Sequence, residues 1–266
     1  MTKAKRQLEA MRSVIDIVLE LVDARIPKSS RNPILDEVFA RIPRLVVMNK
    51  ADLAHPESTE AWMRTFSQEG VAAVASDLRS PTKLVFAQCQ RLLAPLYAQW
   101  HRKGMRPRPV RAVVVGIPNV GKSTWINRFV RQSATKTGNR PGVTKGTQWV
   151  RVHEQMELLD SPGLLWPKFD DARTGMMLAA IGSVGEHVYA VSDVARWVLD
   201  TVGAMEPQHV IDRYGVVGSL HEIGARRGAL RAHGIVDEDQ AARIVLRDFR
   251  AGLLGRCSLE VPVSDG

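Results

Sequence analysis

The residues best suited to chemistry lie in "VVVGIPNVGKST", from Val113 to Thr124. Gly116-Ile-Pro-Asn-Val-Gly121-Lys122-Ser123 has the spacing of a phosphate-binding loop, between a strand-like apolar run and a helix-like "STWINRFVR". In such a loop the backbone N–H groups around Asn119, Val120, Gly121 and Thr124 surround phosphate oxygens. Lys122 is suited to bridging the β- and γ-phosphates, and the Ser123 hydroxyl to ligating Mg²⁺. Downstream, "RPGVTKG" offers Thr144 as a switch residue meeting Mg²⁺ and the γ-phosphate. Then "MELLDSPGLLWP" sets Asp160-Ser-Pro-Gly163 at the end of a short strand. A carboxylate there can hold Mg²⁺ through water, and the Gly163 N–H can sense the γ-phosphate. Alone, Asp160 is an ordinary turn residue; following a phosphate loop and a switch threonine, it points to hydrolysis of a nucleoside triphosphate.

The base is addressed elsewhere. "LVVMNKADL" ends a strand-like run on Asn49-Lys50-Ala51-Asp52. Guanine differs from adenine in its O6 carbonyl and in its N1–H and N2–H₂ donors. Asp52 can accept from both donors, Asn49 can serve O6 or N7 or brace the loop, and the Lys50 stem can cover the base plane. A second stretch, "ASDLRS", follows the next strand and is expected to offer O6 a backbone N–H through Ser76 or Asp77. The motifs thus run base reader, second base loop, phosphate loop, switch and Asp-x-x-Gly. This is a GTPase domain whose chain order is circularly permuted, a change the sheet tolerates because native termini often lie close together.

These loops need strands to carry them. "VIDIVLELVDAR", "PRLVVMNK", "VAAVAS" and "AVVVG" read as strands; "ESTEAWMRTFSQEG" and "TKLVFAQCQRLLAPLYAQW" read as helices between them. The alternation predicts a parallel α/β sheet with ligands at the carboxyl ends of its strands. "HRKGMRPRPVR" is a basic, Pro-containing connector, and after about Asp170 the signals turn mostly helical, including "EDQAARIVLRDFRAG". The expected division is a permuted P-loop GTPase domain over 1–170 and a small, mostly α-helical domain over 171–266. In that order the helical part hangs from the second switch, so loss of the γ-phosphate should reorient it.

Composition narrows the partners. The 266 residues hold 37 Lys plus Arg against 28 Asp plus Glu, a net charge of +9 that suits a polyanion such as RNA. Aromatics are only 6%, so any RNA contact is expected to be electrostatic rather than a stacking platform. Cys89 and Cys257 lack the spacing of a zinc site or disulfide scaffold, which fits a reducing cytosol. No apolar stretch nears the ~18 residues a bilayer requires. No signal peptide, membrane or DNA contact is expected.

The stretches "MTKAKRQ", "LVDARIPKSSRNP", "NKADL", "GIPNVGKSTWIN", "TGNRPGVTKGTQWV" and "LLDSPGLLWPKF" together make the chain resemble the YlqF/RbgA family of bacterial ribosome-biogenesis GTPases. The likeness runs from the start to about Phe169 and is looser beyond. It implies GTP and GDP as ligands, and a monomer acting in the cytoplasm on a late precursor of the large (50S) ribosomal subunit and its rRNA. It also implies an RNA-binding helical domain and a potassium ion near Asn119. Arg226, Arg227, Arg231, Arg243, Arg247 and Arg250 are candidates for rRNA phosphates, the last three at i, i+4 and i+7 on one helix face. One departure concerns water activation. Leu164 stands where Ras-like enzymes place a Gln, and the family's alternative is a His just ahead of the counterpart of "TKAKRQ". Met1 occupies the neighbouring position, so the expectation is a start annotated several residues late, with the catalytic residue unassigned and Lys122, Thr144 and Gly163 supporting. None of the seven histidines offers a replacement. The competing reading is a nucleotide-gated RNA-binding module with little turnover. A small-subunit GTPase and a metabolic P-loop kinase fit less well.

Overall fold

Seven consecutive buried residues, Ile17–Asp23, form β1, the strand on which the molecule is organised. A parallel strand covered on both faces reads as a nearly unbroken apolar run; this one departs from it at Glu20 and Asp23, both fully buried. In the computed structural model, which describes residues 3–77, 79–80, 82–137, 149–160, 171–216 and 218–262, β1 is flanked by α1 (Lys3–Met11) and α2 (Ile34–Val38) in sequence. It pairs in parallel with β2 (Arg44–Asn49) on one side and β4 (Val110–Val115) on the other.

From β2 the chain passes through α3 (Pro56–Gln68) to β3 (Ala72–Ala75), which extends the sheet outward. The helix α4 (Thr82–Arg102) then returns it to β4 at the centre. After α5 (Lys122–Thr137), the edge strand β5 (Trp149–His153) runs antiparallel to β6 (Met156–Asp160), and β6 pairs in parallel with β4. The resulting order is β3-β2-β1-β4-β6-β5. Connections leave β1 and β4 in opposite directions, so the crevice at their carboxyl ends is the switch point where doubly wound sheets take ligands. Both stretches of base-reader and phosphate-loop sequence end there, as the permuted order requires.

The connector before β4 spends part of its charge internally. Arg108 makes two 2.8 Å bonds to the Asp16 carboxylate and lies over the Trp100 ring.

The remaining elements are helical: α6 (Ala172–Ala180), α7 (Val191–Met205), α8 (Pro207–Tyr214), α9 (Leu220–Arg227) and α10 (Glu238–Arg250). A full capping box on Ser219 and Glu222 starts α9, and the Asp237 side chain caps α10. Asp248 on α10 is fully buried, where it accepts from Arg213 at 2.7 Å and from the Tyr214 hydroxyl at 3.4 Å. Apolar residues of these helices, among them Leu178, Val198, Val245 and Phe249, join the same core cluster as Leu19, Leu45 and Val114 of the sheet. The helical part is therefore docked on the sheet's own core, in addition to being tethered after β6.

Candidate functional site

The phosphate loop spans the turn from β4 into α5, and its neighbours hold it in shape. Asn119 adopts φ 61° and Gly121 φ 93°. At Gly121 a Cβ would lie 2.7 Å from the Asn49 amide nitrogen, so only glycine fits both the backbone and the packing. Lys122 is buried, and its ammonium donates to the carbonyls of Gly116 at 3.1 Å and Ile117 at 3.0 Å, across the concavity of the loop. Ser123 and Thr124 are exposed in the first turn of α5. The charge, the helix N-terminus and the open hydroxyl form a donor set suited to phosphates and a divalent cation.

Asn49 ends β2 and Lys50 turns the chain with φ 58°. The Asn49 amide donates to the Val120 carbonyl at 2.7 Å, and the Lys50 ammonium donates to the Asn119 carbonyl at 2.9 Å. Of the two uses open to Asn49, bracing is the one this structure shows. The base-reading segment and the phosphate loop are thereby tied to each other directly. Ala51 N–H donates to the Ser76 carbonyl at 3.1 Å, and Asp52 stands exposed at the tip.

One expectation needs correcting here. Ser76 N–H is already taken by the Met48 carbonyl at 2.9 Å, continuing the β2–β3 pairing, and its hydroxyl accepts from Trp125 Nε1 at 3.2 Å. Ser76 is thus committed to the sheet and is not a free donor for O6. Asp77 N–H donates to the Ser80 hydroxyl at 3.1 Å, a local turn bond that a ligand can displace. Hydrogen bonds from Ser80 and from the backbone of Arg79 and Ser80 outweigh burial and hold the Asp77 carboxyl below its ordinary pKa. Arg128 fastens the same turn through the carbonyls of Asp77 and Ser80.

Asp160 is the last residue of β6, level with Val114 of the phosphate-loop strand. That places its backbone at the same end of the sheet as Ser123. Its side chain, together with Thr144, Gly163 and Leu164, lies outside the described residues.

Two site residues escaped the sequence reading. Asp23, at the carboxyl end of β1, is fully buried; its carboxylate accepts from Arg25 Nε and Nη2, each at 2.9 Å, and from Lys50 Nζ at 3.0 Å. Burial alone would raise its pKa, but the charges of Arg25 and Lys50 and their hydrogen bonds outweigh that and hold it well below the carboxylate range. Burial likewise opposes the Arg25 charge, and the Asp23 carboxylate more than compensates. Asp23 thus fixes the lysine whose stem was expected to cover the base. The signal was a charged Asp-x-Arg at the end of the strand that pairs with the base-reading strand.

The helical part reaches the site from two directions. Asn119 donates its amide to the Gly182 carbonyl, and the Ser183 hydroxyl donates to the Pro118 carbonyl at 2.6 Å. On the other side, Arg25 Nη1 donates to the Phe249 carbonyl at 3.0 Å and its guanidinium lies 4.6 Å from the Phe249 ring centre. The segment after α10 then runs along the base-reading loop. Among the described residues no donor reaches the Asn119 carboxamide oxygen, while its NH₂ is committed to Gly182.

The arginines expected to face rRNA divide. Arg243 and Arg247 are exposed on α10, with Glu186 3.8 Å from the former and Asp248 3.4 Å from the latter. Arg250 turns inward and donates at 2.8 Å to the carbonyls of Ala179 and Ala180, capping the end of α6. Arg227 donates to the Arg213 carbonyl and covers the Tyr214 ring. Arg231 grips Asp237 in a pair that, with the backbone N–H of Gln240, lowers the Asp237 pKa to about 2. Helical spacing predicts a shared face but not which of its charges the protein itself consumes.

Comparison with known proteins places this geometry. A sequence profile for the family described as "50S ribosome-binding GTPase" matches residues 111–223. Ribosome biogenesis GTPase A of Bacillus cereus is 42% identical, with all of this chain and 93% of that protein covered. Mitochondrial ribosome-associated GTPase 1 of Bos taurus is 30% identical over 100% of this chain and 88% of its own length. Among solved structures, GNP-bound YlqF from T. maritima shares the fold, with a TM-score of 0.71 at 24% identity over 98% of this chain and 99% of that one.

Proposed function

The chain belongs to the ribosome biogenesis GTPase A family, and on that premise we propose what each part of its cleft does. The protein is a circularly permuted, GTP-hydrolysing enzyme of ribosome biogenesis. In our reading Asp52 selects guanine by accepting from N1–H and N2–H₂, with Lys50 held over the base by Asp23 and Asn49 clamping the loop to Val120. Lys122 and the backbone of Asn119 to Thr124 hold the phosphates. Ser123, Thr144 and Asp160 would hold Mg²⁺, and Asn119 a K⁺ ion. Such ions neutralise charge on the phosphate oxygens. Water attacks the γ-phosphate in line, yielding GDP and phosphate, with rate drawn mainly from fixed donors around the transferring group.

The observation that carries this reading is the direct link between base loop and phosphate loop, Asn49 to Val120 and Lys50 to Asn119, at the sheet's switch point. A ligand bridging the two must present a base at one end and phosphates at the other. Replacing Asp52 by Asn tests it. The amide donates where the carboxylate accepted, so affinity should pass from guanosine to xanthosine diphosphate, whose C2 bears a carbonyl. Retained guanine preference would overturn the assignment.

For the partner we propose the large ribosomal subunit precursor and its rRNA, engaged in the GTP state by a monomer in the cytoplasm, with 1–170 as the GTPase unit and 171–266 as the RNA-binding unit. The name of the matching family and the exposed Arg243 and Arg247 support this. Among the described residues no helix is long and apolar enough to cross a membrane. Sedimentation with ribosomal particles should show co-migration with large-subunit precursors under a non-hydrolysable GTP analogue and release under GDP. Migration with neither subunit in either state would sink the partner assignment.

A further inference from the structure

The loop that carries Asp52 is held from outside by the last described stretch of the chain. After α10, Gly252 turns with φ 76°, and a Cβ there would lie 2.6 Å from the Leu53 side chain, so the chain passes close against this loop. Arg256 Nε then donates to the Ala54 carbonyl at 3.0 Å and its Nη2 to the Ala51 carbonyl at 3.1 Å. One planar guanidinium thus spans the loop and fixes a carbonyl on each side of Asp52. Cys257 N–H donates to the Leu53 carbonyl at 3.0 Å, and the Ser258 hydroxyl accepts from His55 N–H at 3.1 Å. Beyond these, Leu259 N–H donates to the Arg25 carbonyl at 3.0 Å and Trp62 Nε1 to the Glu260 carbonyl at 3.0 Å.

Asp52 itself is exposed, so packing does not aim its carboxylate; the backbone beneath it does. An exposed acceptor that must meet two donors on a flat base gains from being oriented before the base arrives, because ordering it afterwards subtracts from affinity. Arg256 is suited to this task, since its fork reaches both flanking carbonyls where a lysine ammonium reaches them less well.

We infer that Arg256 is a positioning residue for guanine recognition, acting through Asp52, with Ser258 as its lesser companion. The inference rests on Asp52 reading the base. Its signature is selectivity as well as affinity. Inosine diphosphate lacks the N2 amino group, so the ratio of GDP to IDP affinity reports how well Asp52 meets that donor.

Titration calorimetry of the full chain with GDP and IDP tests it. Arg256→Ala should weaken GDP binding by about tenfold and move the GDP:IDP ratio toward one, because IDP has less to lose. Arg256→Lys should restore part of the ratio. Ser258→Ala, which deletes one hydroxyl and leaves the arginine, should shift it in the same direction by less, and provides a gentler variant should Arg256→Ala unfold. Thermal unfolding monitored by circular dichroism checks that each variant is folded. Equal weakening of GDP and IDP, or no weakening of either, would overturn the inference. If Asp52→Asn exchanges guanine for xanthine while Arg256→Ala keeps the wild-type GDP:IDP ratio, the role of Arg256 fails alone. If Asp52→Asn does not exchange them, the base reading fails and takes this inference with it.

Discussion

The two ends of the nucleotide cleft are held by the helical part in different ways. At the base end, Arg25 is buried against Asp23 and Phe249, and residues 256–260 bond to the base-reading loop and its surroundings. At the phosphate end, among the described residues, the bonds run from Asn119 to Gly182 and from Ser183 to Pro118. The first attachment rests on a buried arginine, fixed by Asp23, that bonds the Phe249 carbonyl, and on an interleaved backbone; the second, among the described residues, is made of two bonds from side chains to carbonyls. In a permuted GTPase this asymmetry has a use. The response expected on loss of the γ-phosphate would fall on the phosphate end, with the base end as the fixed side.

Asp23→Asn should break the stronger side most severely. It leaves Arg25 buried beside a neutral amide, at an expected cost of about 3–5 kcal/mol, measurable as a shift in urea unfolding. A cost below about 1 kcal/mol, typical of an exposed pair, would mean the base end is no firmer than the phosphate end.

Lys122→Ala addresses the other end. GTP hydrolysis should fall by about 10²–10³, the scale for losing one fixed donor to the transferring group, while the GDP:IDP affinity ratio persists because base contacts are untouched. Steady-state phosphate release and calorimetry separate the two. Loss of base selectivity in this variant would show that the ends are not independent.

Acid offers a reversible version of the first experiment. Asp23 is held below the ordinary carboxylate pKa of 3.8, so its stabilisation is in full force above that value and is lost as pH falls beneath it. The wild type should therefore lose urea resistance more steeply below pH 3.8 than Asp23→Asn does. Parallel curves would indicate that the pair titrates alike folded and unfolded.

The smallest effect is expected from Ser183→Ala, which removes the bond to the Pro118 carbonyl. A change of about 1 kcal/mol in unfolding free energy is predicted. A penalty as large as that of Asp23→Asn would erase the asymmetry.

Particular residues show how far sequence reading reaches. Asn49 to Asp52 and Gly116 to Ser123 were legible because each motif is a local run whose chemistry depends on spacing along one turn. The strands β1 to β4 were legible for a similar reason, as short apolar runs bounded by turn residues. The expected donor to O6, Ser76 or Asp77, narrows to Asp77, because the Met48 carbonyl that takes the Ser76 N–H belongs to another strand. Arg250, one of six candidates for RNA contact, takes a partner no local pattern shows, the end of α6, 70 residues away in sequence. Asp23 and Arg256 carried no assignment, since their partners are brought to them only by folding.

The sequence by itself determined the nucleotide chemistry and the permuted order of its parts, because a phosphate loop and a base-reading turn are each encoded by consecutive residues with fixed backbone demands. Only the tertiary structure decided how those parts are braced and which partners the arginines of the helical part take. A buried charge takes whichever partner the fold sets beside it, and the cost of leaving it unpaired is what makes that choice specific.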